Sequence, residues 1–298
     1  MAFTLQIKEK SIFRKKKLDF QKVIEESELR YGSNNDFYVL KDEEINNDTA
    51  MLYNPDKIGR GIFFNGSRAK ENLYEISYNI PTTRAEINDF ISLAEVITKQ
   101  LGKVEMYCVE EERNFTVDEL KENFERFVDF STEKLNEFCS NKEYDSYILT
   151  LALWPYCIPQ HKVDLWSKCS NLSDFENTLH HIQSQDIYYA SPNIYQNNEN
   201  HKIGAFYVLT EGCKTVYPLK ADGFLNMDQI KIDQGFIQFY IYSEDRFIKG
   251  LYPYDKFIEE IKKQGAELFD KTHVSVPPMS KNQLENLAKA CSESIPTI

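Results

Sequence analysis

Ile58-Gly59-Arg60-Gly61-Ile62-Phe63-Phe64-Asn65, then Leu73-Tyr74-Glu75-Ile76-Ser77-Tyr78-Asn79-Ile80, then Pro81-Thr82-Thr83 is the stretch of this 298-residue chain whose reading decides its fold. The first two segments are rich in aromatic and β-branched residues, as strands are, and the polar link Gly66-Ser67-Arg68-Ala69-Lys70-Glu71 joins them as a hairpin. After Pro81, Thr82-Thr83 open a helix whose Ile87, Phe90, Ile91, Ala94, Ile97 and Leu101 recur at helical spacing, with Gly102 as the stop. A strand at 104–109 follows. Thr116 and Glu119 have capping-box spacing, and Leu120, Phe124, Phe127, Val128, Leu135 and Phe138 carry a helix to about Ser140. Hairpins alternating with amphipathic helices predict an α+β protein with mixed or antiparallel sheets and flanking helices.

Upstream of this stretch, Phe3, Leu5 and Ile7 alternate as in a half-buried strand, a helix is expected over about 18–30, and residues 42–50 read as a polar loop. Downstream, residues 147–154 are apolar at both parities, which predicts a central strand covered on both faces. The pattern loosens after Pro155. A junction is therefore expected within 155–171, giving an N-terminal α+β half at 1–156 and a C-terminal half at 157–298, which would also fit packing as one unit. In the second half, Ser173 and Glu176 form a capping box before a short helix, and strands are expected near 187–190, 203–210 and 215–219. A hairpin at 236–251 precedes Pro253, a helix with Phe257, Ile258 and Ile261 that stops at Gly265, a strand near 272–276 and a helix capped by Ser280 and Gln283. The order hairpin, proline, helix, glycine, strand, capped helix thus occurs at 58–140 and again at 235–292. An internal duplication would produce it, and so would the common alternation of hairpins and helices in α+β proteins, since identities between the copies are few.

The chain has 35 basic and 47 acidic residues, a formal charge of −12. Lys8, Lys10, Arg14, Lys15, Lys16 and Lys17 face only Glu9, so this segment carries +5 and the remainder −17. Binding along nucleic acid by phosphate neutralisation is disfavoured by that balance, whereas a basic protein partner would suit it. The basic segment reads as a solvated turn, with an anion contact as its functional alternative. No apolar stretch follows it, so no secretory signal is expected, and the longest apolar run, 147–159, is shorter than the roughly 20 residues that span a bilayer. Six cysteines lie scattered with no CxxC pair, as expected for reduced thiols in a cytoplasmic protein. Lys outnumbers Arg 27 to 8, a usage typical of AT-rich bacterial genomes.

The segments Gly59-Arg60-Gly61-Ile62-Phe63-Phe64, Tyr74-Glu75-Ile76-Ser77-Tyr78 and Pro81-Thr82-Thr83, with Glu86-Ile87 and Phe90, resemble a bacterial family of about 300 residues classed only as a domain of unknown function. The resemblance would cover most of the chain. It implies no activity, cofactor or catalytic residue.

Reactive side chains are densest at Cys157, His161, Cys169, His180 and His181, five of the eleven Cys and His residues within 25 positions. Cys157, His161, Cys169 and His180 are accordingly the candidate metal ligands, with zinc as the cofactor they would take. Their spacing lacks the close pairs of most zinc sites, and adjacent His180 and His181 point about 100° apart on a helix, which leaves chance clustering as the alternative. No GxSxG elbow, HExxH or GxxxxGK[ST] motif occurs, and Gly59-x-Gly61 lacks the third glycine of a dinucleotide loop. No other cofactor is expected.

The 18 Tyr and 20 Phe are the remaining feature. Phe236, Tyr240 and Tyr242 share one strand parity, and Ile237, Phe239 and Ile241 the other. Either both faces are core, or Tyr240, Tyr242 and Tyr207, with Tyr188, Tyr189 and Tyr195, form a protein-binding surface, because Tyr joins large area to a polar tip. Two functions are weighed. One is a non-enzymatic protein-binding module of regulatory or immunity type; the other is a hydrolase without a local motif, using carboxylates or a zinc-assisted site. A cleft with converging carboxylates would favour the second and an open tyrosine surface the first.

Overall fold

The computed structural model describes residues 1–11, 16–42, 48–143, 146–198, 201–222 and 231–292. Arg14 and Lys15 of the basic segment and most of the 42–50 loop lie outside the described residues. The chain forms two units, Met1–Gln185 and Asp186–Ile298.

The first unit contains β1 (Ala2–Glu9), α1 (Phe20–Ser27), β2 (Arg30–Asn34), β3 (Leu40–Asp42), β4 (Thr49–Tyr53), β5 (Ile62–Asn65), β6 (Leu73–Asn79) and α2 (Arg84–Leu101). It continues with β7 (Val104–Cys108), β8 (Arg113–Phe115), α3 (Val117–Glu122), α4 (Phe124–Ser140), β9 (Ile148–Leu149), β10 (Tyr156–Cys157), α5 (Gln160–Trp166) and α6 (Ser173–Gln183). Eight strands form one antiparallel sheet in the order β3-β2-β4-β5-β6-β1-β7-β8. The β5–β6 hairpin pairs Ile62 with Tyr78 and Phe64 with Ile76, and β1 sets Phe3, Leu5 and Ile7 opposite Tyr78, Ile76 and Tyr74. That single parity is the core face. On it the Phe3 ring stacks on Tyr78 at 5.5 Å and meets Phe90 of α2 and Phe127 of α4 at 5.8 and 5.0 Å. Thr83 caps α2 by accepting from the Glu86 N–H, and the Thr116–Glu119 capping box starts α3. Gly61 adopts φ +83°, and a Cβ there would lie 2.4 Å from Met51 Sδ, so the turn into β5 requires glycine.

Residues 147–154 are not the central strand that their composition predicts. Only Ile148–Leu149 pair, with Tyr156–Cys157, as a separate two-stranded ladder. The rest is an irregular buried segment whose backbone finds individual partners: Ala152 N–H donates to the Gly59 carbonyl at 3.0 Å and Leu40 N–H to the Leu153 carbonyl at 2.8 Å. Both parities are apolar because this segment is enclosed, with Leu149, Leu151, Ala152 and Trp154 all buried. Pro155, near which the sequence places a domain junction, therefore lies inside the first unit. Helices α5 and α6 belong there too, held by Asn136 Nδ2 donating to the Cys169 carbonyl and by Glu176 accepting the Ala85 N–H, each at 3.0 Å.

The second unit contains β11 (Tyr188–Tyr189), β12 (Asn193–Gln196), β13 (Ile203–Thr210), β14 (Thr215–Pro218), β15 (Gln234–Ile241), β16 (Arg246–Phe247), β17 (Tyr252–Pro253), α7 (Tyr254–Lys263), β18 (Glu267–Leu268), β19 (His273–Val276) and α8 (Lys281–Ser292). One sheet runs β12-β13-β15-β16, with β13 and β15 parallel and β17 also paired to β15; the other runs β11-β14-β19-β18. The architecture is α+β, with antiparallel sheets in the first unit and mixed sheets in the second. Element order does recur between 58–140 and 235–292, but sheet membership differs. After α2, β7 joins the sheet of the β5–β6 hairpin, whereas after α7, β19 joins β14 in a sheet apart from β15.

The core of the second unit is built on tyrosine. Tyr207, Tyr217 and Tyr254 are buried, and their hydroxyls donate to the carbonyls of Ala221, Val208 and Pro218 at 3.1, 2.6 and 2.7 Å. Each phenol fills apolar volume while its one polar atom is satisfied, and burial pushes all three hydroxyls well above the usual tyrosine range.

Candidate functional site

The proposed zinc ligands do not converge. Cys157 is fully buried in β10, His161 is exposed in the first turn of α5, Cys169 is half-buried beyond that helix, and His180 sits in the last turn of α6. Among the described residues, no group of three or more His, Cys, Asp or Glu side chains could hold a metal ion. Chain proximity misleads here because the four lie on different elements: Cys157 on β10, His161 on α5, Cys169 in the link after it and His180 on α6. At the α5–α6 contact the bonds are instead Asp174 with Lys162 Nζ and Trp166 Nε1, at 2.8 and 2.7 Å.

Two buried polar clusters escape the sequence reading. The Glu86 carboxylate accepts from the Arg60 N–H at 3.1 Å, from the Gly61 N–H and from the Thr82 hydroxyl. The Arg60 guanidinium donates to the Pro81 and Thr150 carbonyls, each at 3.1 Å. Burial pushes Glu86 up and Arg60 down to about 10. In the second unit, His273 Nδ1 lies 3.0 Å from Asp270 and its Nε2 lies 2.8 Å from the Tyr189 hydroxyl, all three residues being buried. Carboxylate, imidazole and hydroxyl in series could move a proton, but these groups are enclosed and join β11 to β19 across β14. Both clusters are cross-links of the fold.

Of Tyr240, Tyr242 and Tyr207, the structure leaves the first two at least partly exposed. Tyr242 is 74% exposed in the turn after β15, and Tyr240 is half-buried on that strand with its hydroxyl donating to Asp245. Tyr207, only 1% exposed, is core and offers no surface, because the β13 register puts it on the inner parity with Ala205 and Leu209. Its neighbour of opposite parity, Phe206, takes the outer face. There β13 sets Phe206 beside Phe236 of β15, with rings stacked at 5.1 Å. Tyr195 of β12 meets Phe206 edge-on at 5.2 Å, and Tyr240 meets Phe247 of β16 at 5.0 Å. Tyr195, Phe206, Phe236, Tyr240 and Phe247 thus share one sheet face and reach from edge to edge, and Tyr195 and Phe247 are 61% and 49% exposed.

The first unit holds a polar cleft of about 630 Å³. One wall is the start of α2, with Arg84, Ala85, Asn88 and Asp89; the other is α6, with Glu176, Asn177 and His180. The turn with Asn54, Asp56 and Lys57 and the ring of Phe124 complete it. Asn54 Nδ2 donates to Asp89 at 3.3 Å, and burial pushes the Asp89 carboxyl up against the opposing effects of Asn54 and Lys57. Arg84 is committed to Glu125 by two hydrogen bonds of 2.9 and 2.7 Å and lies over the Phe124 ring. Burial holds His180 below the usual imidazole range, with Glu176 opposing and Lys57 reinforcing the shift, and its buried Nε2 has no hydrogen-bond partner among the described residues. Arg84 with Asn88 and Glu176 with His180 are spaced i, i+4, so each face is legible in sequence, but the abutment of the two helices is not.

A family model for a domain of unknown function, DUF4299, matches residues 2–287. The chain belongs to the DUF4299 family. The match takes in both units, and the segments that carry the resemblance in sequence are structural in this DUF4299 protein: they make the β5–β6 hairpin and the Arg60–Glu86 cluster. No curated protein and no solved structure matches the DUF4299 chain. No helix among its described residues is long and apolar enough to cross a membrane.

Proposed function

We propose that the chain is a non-enzymatic module that acts by binding another protein, of net basic character, on the aromatic face of β12-β13-β15-β16. The reading rests on one observation: strand register sends Ala205, Tyr207, Leu209, Ile237, Phe239 and Ile241 inward and leaves Tyr195, Phe206, Phe236, Tyr240 and Phe247 on the outer parity. Aromatic side chains are enriched at protein interfaces, Tyr and Trp especially among the few residues that carry most of the binding energy, and two of these five are already well exposed. Glu211, Glu244 and Asp245 lie at the β15–β16 end, where Glu244 is paired with Arg246 and Lys281, and it is the −12 of the whole chain that favours a basic partner over an acidic one. Stacking of nucleic-acid bases on the same rings is the weaker account, because the chain lacks the net positive charge that phosphate contacts require.

A photo-reactive amino acid at position 195 or 247, activated in the native cell, is expected to trap a protein that binds the purified chain one to one. Recovery of RNA or DNA instead, or equal trapping from the Leu165 position on α5, would overturn the reading.

A further inference from the structure

We infer that the cleft between α2 and α6 binds a neutral, hydroxyl-rich small molecule, a saccharide of one or two rings. Its volume of about 630 Å³ falls inside the roughly 300–1,000 Å³ of small-molecule sites. Two of its charged groups are already occupied: Arg84 by Glu125, and Glu176 by the Ala85 N–H. The ammonium of Lys57 has no hydrogen bond or ion pair among the described residues, and Asp89 has Asn54 as its side-chain partner. Asn88 and Asn177 add two amides, each both donor and acceptor.

His180 supplies the observation that points to a ligand. Its Nε2 is buried and unpartnered among the described residues, and a buried polar atom ordinarily has a partner. The lining groups include both signs of charge and both hydrogen-bonding roles. A phosphate or other dianion would face Asp56, Asp89 and Glu176, and a cation held by those carboxylates would leave the Lys57 ammonium and the Asn88 and Asn177 amide N–H groups without an acceptor. A hydroxyl group donates and accepts at once, so adjacent hydroxyls satisfy a carboxylate, an amide, an ammonium and a neutral imidazole together. In this arrangement Asp89 accepts from one hydroxyl, Lys57 donates to another, and His180 Nε2 closes the set. This site is independent of the aromatic face on the second unit.

The test is saturation-transfer NMR and calorimetric titration of the full chain with D-glucose, N-acetyl-D-glucosamine, maltose and cellobiose, against inorganic phosphate, L-glutamate and L-lysine. At least one saccharide is expected to bind saturably with a Kd below about 1 mM, weakened roughly tenfold or more by Asp89→Asn and by His180→Phe. Asn177→Leu, at an exposed position, serves where either variant does not fold. Binding of none of the saccharides, tighter binding of phosphate or of either amino acid, or saccharide binding that these variants leave unchanged overturns the inference.

Discussion

His273 Nε2 lies 2.8 Å from the Tyr189 hydroxyl, which ties the edge strand β11 to β19 across the intervening β14. Asp270 fixes the other ring nitrogen at 3.0 Å, so the imidazole has a partner on each side. Removing one member breaks a hydrogen bond inside a buried site. Tyr189→Phe is expected to cost about 1–3 kcal/mol, and His273→Ala more because it also leaves a cavity and removes the ring contact to Asp270. Urea denaturation followed by far-UV circular dichroism checks this, and an unchanged midpoint for both variants would contradict it.

Glu86 is the point at which β5, α2 and the 147–154 segment meet. Its carboxylate holds the 60–61 backbone, and Arg60 reaches on to Thr150. Glu86→Ala leaves the Arg60 charge buried, and a loss of about 3–5 kcal/mol is expected. Glu86→Gln keeps one acceptor and should cost less than half of that. Chemical denaturation of both variants gives the ratio directly.

Reading these elements back into the sequence separates what one-dimensional pattern carries from what it does not. The β5–β6 hairpin, α2 and the capping box of α3 are legible because strand alternation, helical spacing and caps are local properties. Burial of 147–154 is legible too, but its conformation is not, since an irregular segment wrapped by core and a central strand produce the same apolar run. Parity in β15 correctly pairs Phe236 with Tyr240, whereas Tyr207 is misplaced because β13 must first be registered against β15 to show which parity faces out. The cleft depends on which face of α2 meets which face of α6, and the grouping of Cys157, His161, Cys169 and His180 on how β10, α5 and α6 pack, neither of which a one-dimensional pattern contains.

The pH dependence of stability should carry a signature of His180. Burial depresses its imidazole from the usual 6.5, Glu176 acts in the opposite direction and Lys57 in the same one. A group depressed on folding contributes stability that is fully present above its unfolded value and is lost as the pH falls through the folded one. The wild type should therefore lose stability below about pH 6.5 more steeply than His180→Gln does. Thermal melts across that range, with parallel curves for the two proteins as the contrary result, decide the point.

Thiol reactivity offers a readout of the two cores. Burial pushes Cys139 and Cys291 up to about 12, so neither supplies thiolate at neutral pH. Both are expected to stay unmodified by an aromatic disulfide reagent in the native protein and to react on unfolding, while half-buried Cys213 reacts first. Peptide mapping by mass spectrometry after brief labelling identifies the order.

The central claim is that the aromatic face of the second unit is the binding surface. Calorimetric titration of the trapped protein partner against wild type, Tyr195→Ala, Phe247→Ala and Asp89→Asn tests it most directly. Loss of about 2 kcal/mol, roughly 30-fold in Kd, is expected for the combined Tyr195→Ala and Phe247→Ala change, with Asp89→Asn binding as wild type does. An unchanged Kd for the aromatic variants, or a loss confined to Asp89→Asn, would contradict the account.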